Sequence, residues 1–177
     1  VTQTYGKTAK LVVTVSPDAT GKAKVKMGSK TVTGTLSDGK ATLTLPKKAL
    51  KPGTRTVTIT YAGVADTFQP ATAKATVKVA KAKPSAKVKR VKTTVKRGWT
   101  ATFQVTVSAS GVQPGGKVTV KVAGKTKTVK LNSKGKATVR IKLSRSTKPG
   151  KKTVSVSYGG STYVAKGKKS TTLKVVR

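Results

Sequence analysis

KPGTRTVTITY, residues 51–61, recurs as KPGKKTVSVSY at residues 148–158. In each copy a Pro-Gly turn leads into six residues in which Thr or Ser alternates strictly with Val, Ile or Tyr. A period of two predicts a β-strand with one buried face. That face comprises Val57, Ile59 and Tyr61 in the first copy and Val154, Val156 and Tyr158 in the second. The repetition predicts two modules of the same design.

The sequence around the two copies follows one order of turns and alternating runs. Ser37-Asp38-Gly39 contains an Asp-Gly pair, which suits the positive φ angles of a tight hairpin turn, and Ser133-Lys134-Gly135 takes its place in the second module. No window shows helical periodicity, because Pro, Gly and β-branched residues interrupt each one. The sequence therefore predicts an all-β fold with two tandem β-sandwiches of about seven strands each.

The modules are predicted at residues 1–80 and 88–177, joined by a short basic linker at residues 81–87. The linker sequence, Lys81-Ala82-Lys83-Pro84-Ser85-Ala86-Lys87, places a Pro inside a run of like charges. Such a run favours an extended, self-repelling connector. We therefore expect the modules to follow one another like beads. Because the chain begins at Val1 and not at Met, we also expect a piece of a longer protein.

Charge is the strongest compositional feature. The chain has 39 Lys and Arg against three acidic residues, a formal net charge of +36. Residues 1–80 hold 13 of the cations and all three acids, whereas residues 81–177 hold 26 cations and no acid. A field of this sign attracts polyanions and destabilises the compact state by self-repulsion. We expect the second module to carry most of any polyanion binding.

The residues that most enzymes need are missing. Without His or Cys the chain lacks the commonest general base, the thiol nucleophile, disulfides and thiolate metal sites. Asp18, Asp38 and Asp66 are scattered, so neither paired-carboxylate hydrolysis nor a calcium loop is predicted. No apolar run approaches the roughly 20 residues of a membrane-spanning helix. We expect a non-enzymatic protein with no metal, no cofactor and no small-molecule substrate.

Four segments resemble the bacterial Ig-like domain repeats that occur in tandem on secreted and surface proteins, many of them actinobacterial. They are Tyr5-Gly6-Lys7, the Ser37–Leu43 turn and strand, the Lys51–Gly63 strand, and the Val77-Lys78-Val79 ending. The resemblance implies Ig-like sandwiches, a secreted or cell-surface location, and a role as stalk, spacer or adhesive module. It implies no catalytic residues. Typical members look mixed or acidic in charge, so the resemblance does not account for +36.

The candidate anion-binding residues cluster around the Ala123-Gly124 hairpin, and two more lie on a strand predicted in the opposite sheet. The seven are Lys117, Lys121, Lys125, Lys127, Lys130, Arg140 and Lys142. Lys acts as a mobile point charge, whereas Arg selects phosphate by geometry, and only six of the 39 cations are Arg. We therefore expect weakly selective, salt-sensitive adhesion of a monomer to anionic polymers such as wall polysaccharide, teichoic-type phosphate or glycans.

Three alternatives stay open. The chain could be an inert spacer with incidental charge, or a non-specific nucleic-acid binder, which the Lys-Ala-Pro segment at residues 81–87 favours. The third alternative, an accessory module that grips an insoluble substrate, requires exposed aromatic residues, which we do not find. Trp99 is either a stacking platform or, as is more common for such a residue, a cover over the end of the sandwich.

Overall fold

The computed structural model describes all 177 residues and contains fifteen β-strands and no helix. The prediction of an all-β fold is confirmed. The chain divides into two compact units, residues 1–81 and residues 82–177. Each has its own hydrophobic core.

Unit 1 contains seven strands. They are β1 (Thr2–Thr4), β2 (Ala9–Thr14), β3 (Lys22–Met27), β4 (Lys30–Thr35), β5 (Lys40–Leu45), β6 (Gly53–Tyr61) and β7 (Ala71–Ala80). One sheet has the order β1-β7-β6-β3-β4, with β1 parallel to β7, and β2 pairs with β5 in the other. Alternate residues of both sheets point into a core of Val, Leu, Ala, Met and Tyr.

Unit 2 contains eight strands. They are β8 (Pro84–Arg90), β9 (Thr94–Lys96), β10 (Thr100–Ala109), β11 (Lys117–Val122), β12 (Lys125–Lys130), β13 (Lys136–Lys142), β14 (Gly150–Tyr158) and β15 (Gly167–Val176). The larger sheet has the order β12-β11-β14-β15-β9, and the smaller the order β13-β10-β8. Phe103 is the largest apolar side chain fully buried between them, among Val, Leu and Ile.

The predicted linker at residues 81–87 is wrong. Strand β8 begins at Pro84 and pairs with β10 in antiparallel register. Ala82 is 2% exposed, and its amide N donates to the carbonyl O of Tyr163 at 2.9 Å. Ala82, Ala86 and Val88 alternate with lysines at period two, so the small and apolar side chains turn toward unit 2 and the ammonium groups toward solvent. Pro84 fits because the first strand residue tolerates a missing N–H donor.

The repeated stretch forms β6 in unit 1 and β14 in unit 2, in the predicted orientation. Val57 and Tyr61 are buried in the first copy, and Val154 and Tyr158 in the second. The Tyr61 hydroxyl donates to the carbonyl O of Thr20 at 2.8 Å, and the Tyr158 hydroxyl to that of Gly115 at 2.6 Å. Each tyrosine therefore fixes the loop that precedes β3 or β11.

The Asp-Gly turn has the predicted backbone geometry. Ser37 and Lys40 exchange backbone hydrogen bonds of 2.9 and 3.0 Å around Asp38 and Gly39, whose φ angles are 50° and 67°. Two positive φ angles in a two-residue loop define the primed turn that joins adjacent strands. The carbonyl O of Gly39 also accepts a 2.8 Å bond from the Val15 amide, which ties the turn to the end of β2.

Candidate anion-binding surface

The outer side of the larger sheet of unit 2, called the β11 face, carries three of the seven predicted residues. Val118, Val120 and Val122 of β11 are buried, so the alternate residues Lys117 and Lys121 point outward. Lys130 of β12 lies directly opposite Lys117 in the antiparallel register. Between the lysines, the hydroxyls of Thr119 and Thr128 lie 2.8 Å apart in a hydrogen bond.

Lys125 and Lys127 lie on the other side of the same edge strand. In register they oppose Val122 and Val120, whose side chains point into the core. Both lysines are nonetheless exposed, because β12 is the last strand of its sheet. The structure therefore does not bring the five hairpin lysines together on one face.

Arg140 and Lys142 lie on the outer side of the smaller sheet, as expected, and this side is called the β10 face. Its centre is a row of polar side chains along β10, namely Thr100, Thr102, Gln104 and Thr106. Arg140 lies opposite Thr102, and Lys142 lies opposite Thr100. A cavity of about 420 Å³ lined by Lys125, Lys142 and Arg145, among others, joins the edge of this face to β12.

Three further cations of the β10 face were missed in the sequence. Lys136 lies opposite Thr106 on one side, while Lys87 and Lys89 of β8 lie opposite Thr106 and Gln104 on the other. Neighbouring strands are about 4.8 Å apart. The two columns of cations, one on each side of the polar row, are therefore roughly 10 Å apart. The sequence does not single out Lys87 and Lys89, because Lys87 falls in the predicted linker at residues 81–87 and Lys89 lies just after it.

The surface of unit 1 that corresponds to the β10 face carries fewer cations. The outward residues of β5 are Lys40, Thr42 and Thr44, of which Thr44 takes the place of Arg140. On the larger sheets the numbers are equal: β3 presents Lys22, Lys24 and Lys26 outward, while β11 and β12 present Lys117, Lys121 and Lys130. On the strands compared, the additional charge of unit 2 therefore lies on the β10 face and leaves the core pattern unchanged.

Trp99 does not cover the end of the sandwich. It lies in the turn between β9 and β10, and 62% of its surface is exposed. Of the two interpretations left open by the sequence, the structure favours an exposed aromatic platform next to Thr100, the first residue of the polar row.

No group of three or more acidic, His or Cys side chains is placed to hold a metal ion. Asp18, Asp38 and Asp66 lie in separate turns of unit 1. The chain also contains no helix with the length and hydropathy needed to cross a bilayer.

Residues 1–80 match the family model of the bacterial Ig-like domain (group 3). No curated protein sequence matches the chain. Similar solved structures include a Ca²⁺-stabilized ice-binding adhesin of an Antarctic bacterium, which is 13% identical in sequence and matches with a TM-score of 0.41. The match covers 99% of this chain and 46% of the adhesin chain. The adhesin InvE of Yersinia pseudotuberculosis is 17% identical with a TM-score of 0.43, covering 99% and 56%.

An amphioxus IgVJ-C2 molecule is 11% identical with a TM-score of 0.48, covering 98% of this chain and 99% of its own. The chain thus spans about half the length of the two bacterial adhesin chains.

Proposed function

Residues 1–80 form a bacterial Ig-like domain, and we propose that the whole chain is a non-enzymatic stalk and adhesion segment of a secreted or cell-surface bacterial protein. Unit 2 adheres by charge to anionic polymers such as wall polysaccharide, teichoic-type phosphate or glycans. Unit 1 acts mainly as a spacer. Ig-like fold families are generally non-catalytic, which agrees with a chain that has neither His nor Cys.

One observation carries the proposal: the β10 face of unit 2 has cations where unit 1 has a neutral residue or no strand. Thr44 of unit 1 corresponds to Arg140 of unit 2, and unit 1 has no counterpart of strand β8, which carries Lys87 and Lys89. Residues 82–177 contain no Asp or Glu, so no side-chain carboxylate within unit 2 offsets these charges. Solubility alone calls for a net charge of only about 2–8 on a small domain.

A bound polyanion would relieve the repulsion among these cations. Lys117 and Lys130 oppose each other on the β11 face, and like charges directly opposite in a sheet destabilise it. A carboxylate or phosphate bound between them adds two attractive interactions that offset the repulsion. Because most of the groups are exposed ammonium groups, binding is weakly selective and is screened by salt.

Chromatography of the intact chain tests the proposal against the two main alternatives. We expect retention on heparin and on an anionic wall-polymer matrix, with elution near or above about 0.15 M NaCl, and passage through an uncharged matrix. Passage through all three would contradict adhesion and favour the inert spacer. Much tighter binding to duplex DNA than to wall polymer at equal salt would favour the nucleic-acid alternative, with a log–log salt slope of about −0.9 per phosphate neutralised.

A further inference from the structure

The turn that carries Trp99 is fixed on both sides by backbone hydrogen bonds. The Trp99 amide donates to the carbonyl O of Lys96 at 3.1 Å across Gly98, whose φ is +80°. The carbonyl O of Trp99 accepts from the Leu143 amide at 2.9 Å, and the Gly98 amide donates to Ser144 O at 3.3 Å. These bonds fix the backbone of the turn, and 62% of the surface of Trp99 is exposed.

A cleft of about 280 Å³ opens beside the indole, where the chain passes from β8 to β9. Its lining consists of Val91, Lys92, Thr94, Val95, Lys96, Trp99, Thr100 and Thr102. Val91 is 55% exposed, so two large apolar side chains of this cleft face solvent. Concave sites that combine an apolar wall with a few polar groups are the usual form of a ligand site.

The fold itself does not require Trp99. Unit 1 has the same turn, in which the Lys7 amide donates to Thr4 O at 2.9 Å across Gly6, whose φ is +88°. Lys7 therefore occupies the position of Trp99 and forms the same backbone bond. Because unit 1 folds with a lysine at this position, the exposed indole of unit 2 points to a contact with a molecule outside the chain.

We propose that this cleft binds one pyranose unit of an acidic polysaccharide. The flat indole packs against the C–H face of the sugar ring, whose weakly positive hydrogens suit the negative face of the aromatic system. Lys92 and Lys96 contact the carboxylate of the sugar, and the hydroxyl group of Thr94 forms a hydrogen bond with a hydroxyl of the ring. This inference rests on the proposed adhesion to anionic polymers and names the class of polymer.

The β10 face extends the cleft into a longer path. Thr100 and Thr102 belong to both, because they line the cleft and begin the polar row of β10. From Thr100 to Thr106 the row spans about 20 Å at the usual rise of a strand. The row carries hydroxyl and amide groups and no aromatic residue. A polysaccharide uses such groups at each unit, whereas single-stranded nucleic acid needs further stacking platforms.

Trp99 is the only Trp of the chain, so its fluorescence reports directly on the cleft. Four probes distinguish binding of the sugar ring, of negative charge and of nucleic-acid bases. They are an oligogalacturonate, its methyl ester, inorganic polyphosphate and a single-stranded oligonucleotide. We expect the oligogalacturonate to change Trp99 fluorescence saturably and the methyl ester to bind at least about tenfold more weakly. A stronger response to the oligonucleotide than to the oligogalacturonate would overturn the inference in favour of nucleic acid.

Calorimetry on variants completes the test. Trp99→Lys introduces the residue that unit 1 carries and should lower oligogalacturonate affinity about tenfold, while polyphosphate affinity and heparin retention stay the same or rise. Trp99→Tyr should restore most of the affinity. Val12→Ala, which removes an exposed apolar side chain from unit 1, should change nothing. Unchanged oligogalacturonate affinity in Trp99→Lys would overturn the cleft assignment but leave the proposed function standing. Passage of the wild-type chain through both the heparin and the wall-polymer matrix would overturn both.

Discussion

Lys117 lies directly opposite Lys130 across the antiparallel pair of β11 and β12, with both side chains on the outer face of the sheet. The equivalent pair in unit 1 joins Lys22 to Thr35. The same fold therefore accommodates either a lysine or a threonine at this point, so folding does not require the second lysine of unit 2.

Lys130→Thr gives unit 2 the residue found in unit 1. We expect the free energy of unfolding to rise by about 0.2–1 kcal/mol at low salt, because a directly opposed like-charge pair is removed, and heparin retention to weaken. Urea denaturation, monitored by the fluorescence of Trp99, measures the change in the free energy of unfolding. Lys134→Thr removes an exposed lysine from the turn before β13 and is the matched control. Equal stabilisation by both variants would mean that net charge, and not the opposed pair, is responsible.

Gly135→Ala should destabilise unit 2 more than Gly124→Ala does. Both glycines have a positive φ, of 71° and 76°, so each substitution carries backbone strain of about 1–2 kcal/mol. A Cβ at Gly135 would also lie 2.5 Å from the carbonyl O of Val107, whereas at Gly124 it would meet nothing within 4 Å. Urea denaturation compares the two variants. Equal losses of stability would show that the crowding at Val107 is relieved without cost.

Tyr158→Phe should lower the free energy of unfolding of unit 2 by about 1 kcal/mol. The substitution keeps the buried ring but removes the hydrogen bond to Gly115 O, and a neutral hydrogen bond contributes about that much. Tyr61→Phe is the counterpart in unit 1, where Thr20 O loses its donor. Calorimetric unfolding of the intact chain should show each variant lowering one transition only. Both transitions moving together would contradict the independence of the two cores.

Gln3→Glu tests a polar group inside unit 1. Gln3 is 2% exposed, its Nε2 donates to Lys7 O at 3.0 Å and to Pro46 O at 3.1 Å, and its Oε1 is buried without a partner. A carboxylate there would face two carbonyl oxygens. We expect a loss of about 3–5 kcal/mol at neutral pH, the usual cost of an uncompensated buried charge.

The pH dependence of Gln3→Glu has a definite sign. Burial raises the pKa of the introduced carboxyl in the folded state above its value in the unfolded chain. The folded state therefore holds the proton more tightly, and stability falls as pH rises through that range. Gln3→Val, which installs the residue that unit 2 has at Val95, should cost less and show no such slope. Melting temperatures at pH 4 and pH 7 check this, and an equal loss at both would contradict a buried charge.

The strands and turns could be predicted because the periodicity is local. The alternation of residues 51–61 and 148–158 and the Asp38-Gly39 turn each depend on neighbours in sequence alone. Strand β8 escaped prediction because its Ala and Val residues are small and separated by lysines, so the charge run obscured the alternation.

The surface was only partly predictable. Closeness in sequence places the hairpin lysines in one cluster, but the side of the sheet on which each lies depends on pairing across the Ala123-Gly124 turn. That pairing sets Lys125 opposite inward-facing Val122 and Lys130 opposite outward-facing Lys117. The alternation that decides which side of the sheet each lysine occupies could be read from the sequence. The exposure of Trp99 could not be predicted, because it depends on the position in space of the turn between β9 and β10.

The most direct test compares two multiply substituted chains of equal net charge in binding to one soluble anionic polysaccharide. The first carries Gln in place of the five β10-face cations Lys87, Lys89, Lys136, Arg140 and Lys142. The second carries Gln in place of five unit 1 lysines, Lys22, Lys24, Lys26, Lys30 and Lys40. Each substitution set lowers the formal net charge from +36 to +31.

Titration calorimetry at about 0.15 M NaCl gives the dissociation constants. We expect the β10-face variant to bind at least about tenfold more weakly than the unit 1 variant, and the unit 1 variant to bind nearly as tightly as the wild-type chain. Equal affinities for the two variants would contradict the claim that unit 2 presents the adhesive surface.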